Sequence, residues 1–175
     1  MVDDILKGIK RFKNKIDEHH VMVFYYKIAS LHFCVGNNKE CIFYLKKIIS
    51  NKSLTMREDL MCFSRILNLF AHYDAGMDYH LEANLRSTYK FLIKMNELKE
   101  VQLEIINFMK ALPDVYPHDV KQAFKEILEK LKKYEDDPYE RRAFLYLDII
   151  SWLESKIHNV SVDQIIRNKF LERNS

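Results

Sequence analysis

His32-Phe33-Cys34-Val35-Gly36 returns forty residues later as His72-Tyr73-Asp74-Ala75-Gly76. Each copy closes an apolar stretch with helical spacing, and another such stretch follows each copy. A glycine at that junction takes the left-handed conformation that ends one helix and lets the chain double back. A helix-turn-helix unit repeated at such a period is the mark of an α-solenoid, whose units bury their faces against one another. The expected fold is therefore all-α, a right-handed solenoid of stacked helical hairpins.

Composition agrees with this. The 175 residues include three Gly and three Pro, while 48% are apolar and 30% charged. So little loop-forming material predicts helices joined by short turns. One domain over 1–175 is expected, since a chain of this length buries roughly 70% of its unfolded surface. The 28 Lys and Arg exceed the 25 Asp and Glu by three, far from the strongly basic balance of a nucleic-acid binder. Lys7, Lys10, Arg11, Lys13 and Lys15 crowd the first helix, and Lys130, Lys132 and Lys133 crowd a later one. Acidic residues flank both groups and no aromatics interleave them, so they read as solvated faces without nucleic-acid contact.

Cys34, Cys41 and Cys62 are odd in number and sit among apolar neighbours. They read as small buried hydrophobes in a reducing compartment, which predicts a cytoplasmic location. The N-terminus lacks the apolar core of a signal peptide. Arg65 and Asp148 interrupt the longest apolar runs, which fall short of the roughly 20 residues of a membrane span. No membrane partner is expected.

Periodicity predicts nine helices. The first runs from Asp3 or Asp4 to Ile16, and a break follows at Asp17-Glu18-His19-His20. The second covers Val21 to Val35, and the third Lys39 to Ser50 with Asn38 as N-cap. Thr55-Met56-Arg57-Glu58 reads as a capping box opening the fourth, to Ala75. Helices from Asp78 to Lys94, Leu98 to Leu112 and Pro117 to Tyr134 come next. Asp137-Pro138-Tyr139-Glu140 starts an eighth, to Ile157. Ser161 caps the last, which is expected to turn Val162, Ile165, Ile166 and Phe170 inward.

Within Tyr25 to Ile48, Tyr25, Ile28, Ala29, His32 and Gly36 lead to Cys41, Leu45 and Ile48. This pattern resembles a tetratricopeptide repeat, with its aromatic, leucine, small residue and turn glycine followed by the second helix's packing positions. The second copy departs from the motif at Arg65, Asn68 and Leu69, and its period exceeds that of the motif. Arg57 to Leu60, Leu85 to Leu92 and Trp152-Leu153-Glu154-Ser155-Lys156 are similar to a group of uncharacterised bacterial helical-repeat proteins. The resemblance implies a protein-interaction scaffold.

In that register Tyr26 and Phe33 line an inner groove in the first unit, and Phe63, Phe70 and Tyr73 line it in the second. Such a groove could seat a helix or extended peptide of a protein partner, or a second copy of the chain. The structural alternative is that these rings are ordinary core covered by the terminal helices. Arg65 shares a helix face with Asn68 and His72. It needs an acidic partner, with Glu82, Asp74 and Asp78 as candidates, or it anchors a ligand carboxylate. His72, Asp74, Asp78 and His80 gather at one turn but match no metal-site spacing. No phosphate loop, HExxH pattern or nucleophile beside a base stands out. The function expected is non-catalytic scaffolding without a cofactor. The alternative is a regulatory sensor for a peptide or small anion.

Overall fold

A computed structural model describes residues 2–12, 14–51 and 58–174. Among them are ten α-helices and no strand. The first five are α1 (Val2–Arg11), α2 (Glu18–Cys34), α3 (Asn38–Ile49), α4 (Glu58–Asp74) and α5 (Asp78–Lys94). Then come α6 (Glu100–Ala111), a 3-10 turn (Leu112–Asp114), α7 (Val120–Lys132), α8 (Arg141–Tyr146), α9 (Ile149–His158) and α10 (Val162–Arg173). No helix among the described residues is long and apolar enough to cross a membrane.

The two glycine turns are built alike. Gly36 has φ 75° and Gly76 φ 64°. At the first, the Asn37 amide donates to the His32 carbonyl at 2.8 Å and the Gly36 amide to Phe33 at 3.0 Å. At the second, Met77 donates to His72 and Gly76 to Tyr73, both at 3.0 Å. Both are Schellman closures, in which the left-handed residue redirects two amides onto the last orphan carbonyls of the helix. The same closure ends α5, where Asn96 has φ 54° and Glu97 donates to Leu92 at 3.0 Å. Asn tolerates the left-handed region better than other side chains, which lets it stand in for glycine.

Helix starts differ from expectation by short-range polar chemistry. The first helix ends at Arg11, short of Ile16, and the Asp17 carboxylate accepts the His20 amide at 2.9 Å to start α2 at Glu18. Asn37, not Asn38, is the N-cap residue of α3. Residues 55–57 of the capping box lie outside the described residues.

The eighth predicted helix is two. Leu147 is extended, with φ −118° and ψ 116°. Asp148 then accepts the Ser151 amide at 3.1 Å and opens α9. In α10, Val162 and Ile165 are buried as expected, but Phe170 is 66% exposed.

α2 packs on α3, α3 on α4 and α4 on α5, while α9 packs on α7 and α10, and α10 returns to touch α2. One hydrophobic cluster runs from Met22 in α2 to Val162 in α10. α4 is its centre, with Leu60, Ile66, Leu69 and Phe70 almost wholly buried. Glu140, itself buried, ties α6 to the start of α8. Its carboxylate accepts the Glu100 amide at 3.2 Å and the Val101 amide at 3.1 Å. These are orphan donors of the α6 N-terminus, where a negative charge is favoured.

No atom lies within 4 Å of where a β-carbon would sit at Gly36 or Gly76. Gly36→Ala and Gly76→Ala should therefore cost only the backbone strain, about 1–2 kcal/mol each. Asn96→Gly should be neutral or stabilising by a few tenths of a kcal/mol. Urea midpoints at constant m-value measure all three.

Candidate functional site

The five candidate aromatics meet in one seam, and the chain's own C-terminal half fills most of it. Tyr26, Phe33, Phe63 and Phe70 are buried and Tyr73 is half-buried. The Tyr26 hydroxyl donates to the Tyr146 carbonyl at 2.8 Å. Phe63 stacks on Tyr146 with centroids 4.6 Å apart, and Phe70 stacks on Trp152 at 4.0 Å. Tyr73 meets Trp152 edge-on at 6.3 Å and Phe124 at 6.1 Å. The greater part of the surface of these five rings thus packs against the chain itself. Burying them against α8 and α9 removes large apolar areas from water, which an open groove would leave wet.

Ion pairs close both ends of this seam. Arg142 donates to Asp59 at 2.7 Å, and Lys156 pairs with Asp74 at 2.7 Å. The indole N–H of Trp152 also donates to Asp74, at 3.1 Å. Four rungs result: Asp59 with Arg142, Phe63 with Tyr146, Phe70 with Trp152, and Asp74 with Lys156. Each acid lies four residues from its aromatic, and each cation four residues from its own, so each pair shares one helix face. The rungs keep the same order on both strands of the ladder, so α4 and α8–α9 run in parallel.

The break at Leu147 keeps the ladder in step. Phe63 and Phe70 are seven residues apart, whereas Tyr146 and Trp152 are six apart. Leu147 (φ −118°, ψ 116°) and Asp148 (φ −75°, ψ 66°) both leave the helical conformation within the shorter segment. An extended residue advances about 3.3 Å against 1.5 Å in a helix, so this break lengthens the shorter segment toward the seven-residue spacing of α4.

One opening remains in the seam. A cavity of about 350 Å³ lies between α2 and the α8–α9 junction. Tyr26, Phe33, Phe70, Phe144 and Leu147 line it, with Ser30, Lys27 and Asp148 also on its wall. Three of the five candidate aromatics therefore still border a space. Lys27 and Asp148 are exposed and Ser30 is half-buried. The Ser30 hydroxyl donates back to the Tyr26 carbonyl at 3.0 Å.

Arg65 stands apart from the cavity, half-buried on the α5 side of α4. Its guanidinium lies 4.2 Å from the Phe91 ring centroid and donates to the Ser87 hydroxyl at 3.2 Å. The expected acidic partner is replaced by a ring face, since a planar guanidinium is weakly hydrated and stacks well. Glu82 is bound instead to Arg86 at 2.6 Å, and Asp74 belongs to the ladder. The Asp78 side chain lies outside the described residues. Burial holds the Arg65 pKa below its usual value.

His72 is buried, and its Nδ1 lies 2.7 Å from the Asn68 carbonyl. A carbonyl can only accept, so Nδ1 carries the proton. Its ring lies 6.4 Å from that of His80. Among the described residues no three His, Cys, Asp or Glu side chains gather as a metal site would require. Burial pushes the Cys41 thiol far up and Cys62 up to about 12, so neither offers a ready thiolate. Comparisons with family profiles, curated proteins and solved structures found no match to this chain.

Tyr146, Trp152, Arg142 and Lys156 were not singled out as a set by sequence reading. The signal was there, as acid–aromatic spacings of four at 59/63 and 70/74 mirrored by cation–aromatic spacings of four at 142/146 and 152/156.

His72 supplies a pH test. Burial, first, and the nearby Lys46 and His80 hold its pKa below the usual value against the opposing Asn68 bond. Its folded pKa is depressed, so its contribution is complete above the unfolded pKa and is lost as pH falls below it. Burial instead raises the Asp74 carboxyl despite Lys156 and Trp152, which acts in the opposite sense. Thermal melts from pH 7 to 5 should show a decline in stability that is flatter in His72→Asn, a comparison in which Asp74 cancels.

Proposed function

We propose that the chain is a non-catalytic protein-interaction module of tetratricopeptide type, a scaffold or adaptor. In this reading α2–α3 and α4–α5 are two hairpins of a right-handed α-solenoid, turned at Gly36 and Gly76. The seam along α2 and α4 is their inner face, and α8–α10 cover most of it. A partner protein or peptide docks where the cover is incomplete, at the cavity between α2 and the α8–α9 junction.

The observation that carries this is the cavity itself. Its floor is aromatic and aliphatic, and its mouth holds one exposed cation and one exposed anion. An apolar side chain of a partner segment would fill it, while Lys27 and Asp148 would fix the segment's direction. A filled pocket ringed by polar groups is the usual form of an interaction anchor.

Ser30→Arg places a long, charged side chain on the wall of the cavity. An affinity capture from the source cell should retain a partner with the wild type and lose it at least about tenfold with Ser30→Arg, at an unchanged melting curve. Equal recovery of the same proteins by both would contradict the reading.

A further inference from the structure

α1 contains no buried residue, although its apolar side chains recur with helical spacing at Val2, Ile5, Ile9 and Phe12. Val2, Ile5 and Leu6 rest against the hydrophobic cluster. Beyond them the stripe runs out toward solvent: Ile9 is half-buried and Phe12 is 43% exposed. The Phe12 amide donates to the Gly8 carbonyl at 2.9 Å and the Ile16 amide to the Phe12 carbonyl at 3.0 Å, so the chain winds on for a turn past α1. The helix is docked at its start and carries an uncovered apolar edge at its end.

Charge decides what covers that edge. From Lys7 to Ile16 the sequence has five cations, Lys7, Lys10, Arg11, Lys13 and Lys15, and no acid. Taking those five from the 28 basic residues leaves 23 against 25 acidic ones, so the chain's positive excess resides in this segment. Lys7, Lys10, Arg11 and Lys15 are exposed, and none forms an ion pair with another described residue. Four carboxylates bracket the run. Asp3 and Asp4 occupy the first turn of α1, where the helix dipole favours them. Asp17 is bound to His20, and Glu18 accepts from the Asn51 side chain at 2.7 Å. Five cations less four acids still leave a net +1 over residues 2–18, and its distribution is polar. The first acids lie at the docked start, whereas the cations lie where Ile9 and Phe12 leave the protein.

We infer that the end of α1 seats reversibly on an anionic membrane surface. Ile9 and Phe12 enter the boundary between headgroups and acyl chains, and the cations beside them meet the lipid phosphates. Lys and Arg suit this position, because their stems lie along apolar surface while their charged heads stay at the polar level. Nucleic acid would answer the charge but leave Phe12 in water. A helix lying on a bilayer needs no spanning segment, so the lack of a long apolar helix among the described residues does not bear on it. The inference is independent of the partner cavity, which α1 does not line.

Flotation of the full chain with vesicles of phosphatidylcholine, alone or with about 30% phosphatidylserine, tests it. The wild type should bind the anionic vesicles at least about tenfold more tightly than the neutral ones and be released as salt rises. Ser30→Arg should behave in the same way. The double change Lys10→Glu with Arg11→Glu should weaken binding at least about tenfold, and Phe12→Ser at least about fivefold, both with unchanged circular-dichroism melts. Lys133→Glu, in the other basic cluster, should leave it unchanged. Equal affinity for the two kinds of vesicle would overturn the proposal. So would a loss in Lys133→Glu as large as in the double change. Wild-type affinity in Phe12→Ser would overturn it as well, by showing a contact of charge alone, such as nucleic acid makes.

Discussion

The stacking of Phe63 on Tyr146 and Phe70 on Trp152, sealed at its ends by two Asp–cation pairs, is the contact on which the rest of the molecule depends. It joins residues more than eighty positions apart and turns two runs of helices into one hydrophobic cluster. Its apolar rungs supply the driving force, since aromatic pairs add to simple burial through their ring geometry. The polar rungs contribute less to stability than to register, because each charge must meet its mate once the rings are seated. The break at Leu147 follows from this requirement. Without the extended step, one pair of rungs would fall out of line with the other.

The same contact explains where an interaction site can lie. The aromatic face of α2 and α4 is largely spent on the chain's own α8 and α9. What stays open is set by the imperfection in the cover. The chain is extended at Leu147, and cavities flank that junction on both sides. The same break that interrupts the internal ladder thereby leaves relief on the surface on both sides.

The turns at Gly36 and Gly76 were legible in sequence because a left-handed helix end strongly favours glycine. The equivalent turn at Asn96 was not, since Asn serves caps and turns of several kinds. The break between α8 and α9 left one local trace, the N-cap residue Asp148, while Phe144 to Ile150 keeps helical apolar spacing and contains neither Gly nor Pro. An N-cap residue alone does not outweigh a continuous apolar stripe when the sequence is read locally. The candidate aromatics were placed on one face through the resemblance to a tetratricopeptide repeat, whereas their covering by Tyr146 and Trp152 needed the offset between two helices. Arg65 was read as needing an acid, and Phe91 supplied a ring face, a solution available to guanidinium but not visible in charge patterning.

Native-state hydrogen exchange on the full chain measures this central dependence most directly. If the ladder binds the two halves into one unit, amides in α4 and α9 should exchange through the same opening, with the free energy of global unfolding. Exchange of α9 amides through a markedly cheaper opening, while α4 stays protected, would show the C-terminal half to be an appendage and contradict the account.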